Sequence, residues 1–166
     1  MRASLDLLVQ EYRRKGVLVD TNLLVVLMVG KLSPAHLRNC RATKAFTEDD
    51  FWVLHRFVGL FGTLVTTPHI LTEVSNLSGK LPDSLLRQFR AVFREVVNEL
   101  FEKPLAAEKV ARDAQFPRFG LTDTAITMIA PKSYLVLTDD LTLYRHFEQT
   151  NVAAINFNHI RTSGWT

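Results

Sequence analysis

Four short apolar runs punctuate the chain: VLV at 17–19, LVT at 64–66, YLVL at 134–137 and VAAINF at 152–157, each set off from the next by helical periodicity. Runs this brief and this apolar suit strands buried on both faces of a sheet, and successive strands joined through a helix pair in parallel. The alternation therefore predicts an α/β protein, a three-layer α/β/α sandwich with a mostly parallel sheet. It also says where chemistry belongs, because ligands of open parallel sheets sit beyond the carboxyl ends of the strands.

The intervening segments carry their own start and stop signals. Ser4 to Lys15 places Leu5, Leu8, Val9 and Tyr12 at helical spacing, with Ser4 as N-cap and Gly16 closing the segment. Thr47 to Leu60 opens with Thr47 and Asp50 in capping-box spacing and is stopped by Gly62. Thr67 and Pro68 start the helix that carries Glu73. Helices are further expected over Asp83 to Leu100, Pro104 to Ala114, Leu121 to Ala130 and Leu141 to Glu148, with QFPRFG as a loop.

At 166 residues the chain reads as one domain, 1–166, in which 1–15 is an additional N-terminal helix and 81–115 a helical segment between acidic motifs. With 47% hydrophobic and 22% charged residues it has the balance of a globular protein and not of a disordered one. The single cysteine, Cys40, allows no internal disulfide, which favours a reducing cytoplasm. The longest apolar run, Leu23 to Val29, is too short to span a bilayer, so neither a membrane segment nor an export signal is expected. A net charge of +3 permits an acidic partner such as nucleic acid without requiring one.

The polar residues Asp20, Thr21 and Asn22 interrupt the apolar stretch VLVDTNLLV. Asp20 ends the first strand, Glu73 follows the second, Asp123 opens a helix in FGLTDTAI, and Asp139 with Asp140 ends YLVLTDD. Any one of these acids serves equally well as a helix cap or surface charge. Together at one end of a sheet they would repel one another and raise each other's pKa values, so a cation is needed. The five histidines, His36, His55, His69, His146 and His159, show no zinc-binding spacing, although His69 lies just before the second acidic motif. Hard oxygen donors without histidine or cysteine select Mg²⁺ or Mn²⁺, one or two ions, as in metal-assisted phosphodiester cleavage.

In order along the chain, VLVDTNLLV, TPHILTEVSNL, FGLTDTAI and VLTDDLTLY resemble the four acidic motifs of PIN-domain nucleases, over about Val17 to Phe157. The resemblance implies a PIN-like fold and a Mg²⁺- or Mn²⁺-dependent endonuclease acting on RNA. Many small bacterial members are toxins of toxin–antitoxin pairs, so an antitoxin protein and a second copy of the chain join RNA as expected partners. Asp20 matches the first acid, Glu73 the second and Asp123 the third. The T-x-D pattern puts Thr138 on the threonine and Asp140 on the fourth acid, with Asp139 as second choice. By the same match Asn22 and Thr138 support the acids, Asp20, Asp123 and Asp140 hold metal, and Glu73 is a ligand or the base. The chain departs from small family members in its first helix and in the roughly fifty residues between Glu73 and Asp123, which leaves the substrate open.

Acids at the centre call for cations around them, since phosphate contacts supply most sequence-independent affinity. Arg145, Arg118 and Lys132 are the candidate RNA contacts. Arg87, Arg90 and Arg94 form a helical stripe that suits RNA contact or a solvated face equally. A dehalogenase-type phosphatase needs an acid where Asn22 stands, an integrin-type site needs serines, and a Walker loop is absent. The competing function is a PIN-like RNA-binding or assembly module without catalytic activity.

Overall fold

Val17, Leu18 and Val19 are each 1% exposed or less, which is possible for backbone polar groups only if both edges of the segment are hydrogen-bonded. The computed structural model, which describes residues 2–162 with side chains from Leu5 onward, places them as the central strand β1 (Val17–Val19). Strands β2 (Leu64–Thr66) and β4 (Leu135–Thr138) flank it, and β3 (Phe101–Glu102) and β5 (Ala154–Asn156) form the edges, in the order β3-β2-β1-β4-β5. Every pairing is parallel, with Val17 opposite both Leu64 and Leu135, and Val19 opposite Leu137. The fold is thus α/β, a three-layer α/β/α sandwich about an all-parallel sheet. No helix among the described residues is long and apolar enough to cross a membrane.

Helix α1 (Arg2–Tyr12) precedes β1. Its first residue is Arg2, so Ser4 lies inside the helix and not at its cap; the Ser4 side chain is outside the described part of the molecule. Gly16 then turns the chain into β1 with φ +117°, where a side chain would be strained and would press on the Thr63 carbonyl.

Helix α2 (Thr21–Leu32) is buried on every side from Leu23 to Gly30, which is how a helix with no polar face survives. It packs against α3 (Glu48–Val58), α4 (Pro68–Ser78) and α5 (Asp83–Glu99). Gly30 permits the closest approach: a Cβ there would lie 2.1 Å from the Phe51 ring of α3. The expected capping box is present, with Asp50 N–H donating to Thr47 Oγ1 at 3.1 Å and Thr47 N–H to Asp50 Oδ2 at 2.8 Å. Gly59 caps that helix instead of Gly62, whose N–H bonds the Arg13 carbonyl. Thr67 caps α4 through Ile70 N–H, with Pro68 at its first position.

The remaining helices are α6 (Ala107–Ala111), α7 (Phe116–Ile129), α8 (Leu141–Gln149) and α9 (Phe157–Thr162). Three local expectations are corrected, and two short elements had not been expected. A 3₁₀ segment at Pro34–Asn39 and the two-residue edge strand β3 had no sequence signal; elements of one turn or two residues have no period to detect. The helix expected over 104–114 shrinks to Ala107–Ala111. The expected loop QFPRFG is helical from Phe116, broken only at Gly120 (φ 70°, ψ −166°), a conformation open to glycine alone. The last strand stops at Asn156, and Phe157 begins α9.

Candidate metal centre

Asp20 leaves β1 still extended (φ −64°, ψ 158°) and donates its N–H to the Leu137 carbonyl at 2.9 Å, while its own carbonyl accepts from Leu24 N–H and starts α2. Its side chain is therefore the N-cap of α2. Oδ1 accepts from Thr21 N–H at 2.6 Å and Oδ2 from the Thr138 hydroxyl at 2.5 Å. At 6% exposure the carboxyl is pushed up to about 6: burial is the main cause, the Thr138 and Thr21 bonds oppose it, and Asp139 and Asp140 add to it. The acid in the apolar run is thus a strand-end cap that has been desolvated.

Thr138, the last residue of β4, is wholly buried and works in two directions. It donates to Asp20 and accepts from the N–H of Asp140 at 3.0 Å. Asp140 caps α8, its Oδ1 accepting from Thr142 N–H at 2.6 Å and Leu143 N–H at 3.0 Å. Asp139 is turned differently. Its Oδ1 accepts from Asn22 Nδ2 at 3.3 Å and its carbonyl from Asn158 Nδ2 at 3.1 Å. Burial pushes the Asp139 carboxyl up, against the Asn22 bond and the Arg161 charge.

Glu73 lies on the exposed side of α4, yet its Oε2 accepts from the Thr21 hydroxyl at 2.9 Å. Asp123 stands in the turn after the Gly120 break in α7, half-buried. Its carboxyl is pushed up to about 7, first by burial and then by the charges of Asp20, Asp140 and Glu73. Acids from the β1 end, α4, α7 and the β4 end thus sense one another across the carboxyl edge of the sheet. Asp140 is felt by both Asp20 and Asp123, whereas Asp139 bears on Asp20 alone of these two.

Among the described residues, no lysine or arginine forms an ion pair with any of these five acids. Among the same residues, no three acidic, histidine or cysteine side chains stand close enough to share one ion as placed. The donors are oxygen throughout, the set that suits Mg²⁺ or Mn²⁺. The buried hydroxyls of Thr66 and Thr124, the latter beside Asp123, have no hydrogen-bond partner among the described residues.

The basic candidates are not all at this edge. Arg145 is exposed on α8 in the second turn after Asp140, and Arg118 is exposed at the start of α7, its guanidinium 4.7 Å from the Phe119 ring. Burial and then Arg118 hold the His146 imidazole below its ordinary pKa. Lys132 lies in the turn before β4 with φ 62°, at the amino end of the strand whose carboxyl end bears Asp139 and Asp140. Arg87, Arg90 and Arg94 are exposed on α5, whose Phe89 is wholly buried. His69 bonds the Leu105 carbonyl at 3.0 Å through Nε2 and so ties α4 to the segment after β3. Two contributors lacked a role in the sequence reading. Thr21 sat inside the D-T-N motif, which marked it without assigning it a partner, and Asn158 had no signal at all.

A cavity of about 210 Å³ opens elsewhere, lined by Leu24, Met28, Val58, Phe61, Leu64 and Leu100 among others, at the amino end of β2 and away from the acids. No protein-family model matches the chain, and no curated protein does.

Proposed function

We propose that the chain is a PIN-like ribonuclease, a Mg²⁺- or Mn²⁺-dependent endonuclease that hydrolyses phosphodiester bonds at the carboxyl edge of its sheet. The observation that carries this reading is the electrostatic influence of Asp20, Asp140 and Glu73 on the half-buried Asp123, acids from four separate parts of the fold with no basic partner among the described residues. Asp20, Asp123 and Asp140 would hold the ion or ions, with Glu73 or Asp139 completing the set. When bound, such an ion screens phosphate charge and lowers the pKa of a coordinated water from 15.7 towards neutrality.

The chain's own residues do the rest. Thr138 keeps Asp20 and the start of α8 in one register, and Asn22 holds Asp139 aside. Glu73, exposed at the edge, would serve as a ligand or as the base that orients the attacking water. Arg145 and Arg118 offer charge to the RNA backbone. In-line attack leaves a 5′-phosphate and a 3′-hydroxyl. A cytoplasmic toxin held by an antitoxin protein is the biological role we propose for this activity.

Purified protein incubated with cellular RNA should cleave in Mg²⁺ or Mn²⁺, stop on chelation, and lose activity as Asp20→Asn. Cleavage that survives both treatments would refute the metal mechanism. As a toxin, the induced protein should arrest growth, and Asp20→Asn should not. The second reading, an RNA-binding or assembly module, is favoured by the spacing of the carboxylates, no three of which share an ion as placed among the described residues. A wild type that binds RNA and cuts none in any divalent metal selects it.

A further inference from the structure

We propose that Thr21 is a positioning residue that locks Glu73 to Asp20 and so sets the spacing of the metal centre. The inference rests on the metal-centre reading of the acids above. Thr21 is 4% exposed and begins α2. Its N–H donates to Asp20 Oδ1 at 2.6 Å and its hydroxyl to Glu73 Oε2 at 2.9 Å. One residue thereby bonds two acids that lie on different elements, 52 positions separating Thr21 from Glu73.

Glu73 needs this constraint more than its neighbours do. Asp20 and Asp140 are fixed as helix caps by short side chains and backbone N–H groups. Glu73 is exposed, has three rotatable bonds, and is bonded by no cation among the described residues. Free in solvent, its carboxylate would sample many rotamers, and fixing it on metal binding would carry the full entropic cost. The buried Thr21 hydroxyl, itself pinned by α2, removes much of that freedom beforehand. It donates to Oε2 and leaves the other oxygen and the remaining lone pairs for an ion or a water.

Thr21→Val is the informative substitution, because it keeps the side-chain shape and the backbone N–H to Asp20 while deleting the hydroxyl. Mn²⁺ affinity of the full chain, measured by calorimetric titration, should fall about tenfold, the lower end for loss of a group that orients a ligand. Thr21→Ser should restore it to within about twofold. In a Glu73→Gln background, Thr21→Val should change nothing further. Thr21→Ala, titrated the same way, serves if the valine variant does not melt cooperatively.

Unchanged affinity in the hydroxyl-free variants, no rescue by serine, an undiminished loss in the Glu73→Gln background, or a wild type that binds no Mn²⁺ would each overturn the proposal. RNA cleavage by the same proteins separates it from the nuclease reading. If the wild type cleaves, Thr21→Val should lower kcat and leave the KM for RNA unchanged, and the reverse split overturns the assignment. If the wild type binds Mn²⁺ with the predicted coupling yet cuts no RNA, the nuclease reading falls and the role of Thr21 stands.

Discussion

Asp20 shows how one residue can carry two opposed constraints. As a cap it satisfies the first turn of α2, and as a carboxylate it is buried against the expectation for its type. The conflict has a measurable consequence in metal-free protein. Folded, Asp20 keeps its proton to about pH 6; its ordinary value is 3.8. Between those values the folded state binds more protons than the unfolded one, so stability falls as pH rises. The contribution is whole below the ordinary value and lost as pH climbs through about 6, on the order of 3 kcal/mol at most by linkage. Urea unfolding in chelator from pH 4 to 7 should show wild type losing ground to Asp20→Asn, which retains a good cap. A pH-independent difference between the two would mean that the carboxyl is ordinary. Asp139 and Asp140, adjacent in sequence, are separated by the same logic of partners: one is held by Asn22, the other caps α8.

Among the elements, α2 carries the greatest constraint, since the helix that starts at the acids is also the buried axis of the molecule. Its contact with α3 depends on Gly30, where a Cβ would meet the Phe51 ring at 2.1 Å. Alanine is the better helix former by about 1 kcal/mol, but overpacking a close interface costs about 1–3 kcal/mol. Gly30→Ala should therefore lower the melting temperature, whereas Gly30→Ala with Phe51→Leu should recover part of the loss. A gain in stability from the single change would show that the two helices can move apart. Gly120 in α7 acts in the opposite way: its positive φ meets open space, so its role is to break the helix and restart it ahead of Asp123. The sequence reading saw the restart at Leu121 and took the turn before it for a loop, because Phe116 to Phe119 is too short to carry a helical period.

For the whole molecule, the proposed metal centre carries a prediction that couples folding to divalent cations. A ligand that binds only the folded state stabilises it by about 2.7 kcal/mol at a hundred times its Kd. Mn²⁺ should therefore raise the melting temperature at neutral pH, and less so at pH 5, where Asp20 and Asp123, with carboxyls pushed up to about 6 and about 7, hold protons that compete with the ion. Equal shifts at both pH values would place the ion elsewhere.

The amino-acid sequence by itself determined the local features: the positions of β1, β2, β4 and β5, the Thr47 and Thr67 caps, and the parallel α/β class. Each depends on interactions within a few residues, periodicity in α5 or a capping box across three positions, and these are written directly in the order of side chains. It also marked the acids, most directly Asp20 and Asp140, because a charged residue just past an apolar strand is a local anomaly. Only the tertiary structure decided how the acids are held. Thr138 reaches Asp20 across 118 positions, Asn22 reaches Asp139 across 117, and Thr21 reaches Glu73 across 52. Such bonds exist only once the parallel crossovers have set β1 beside β4 and packed α2 on α4.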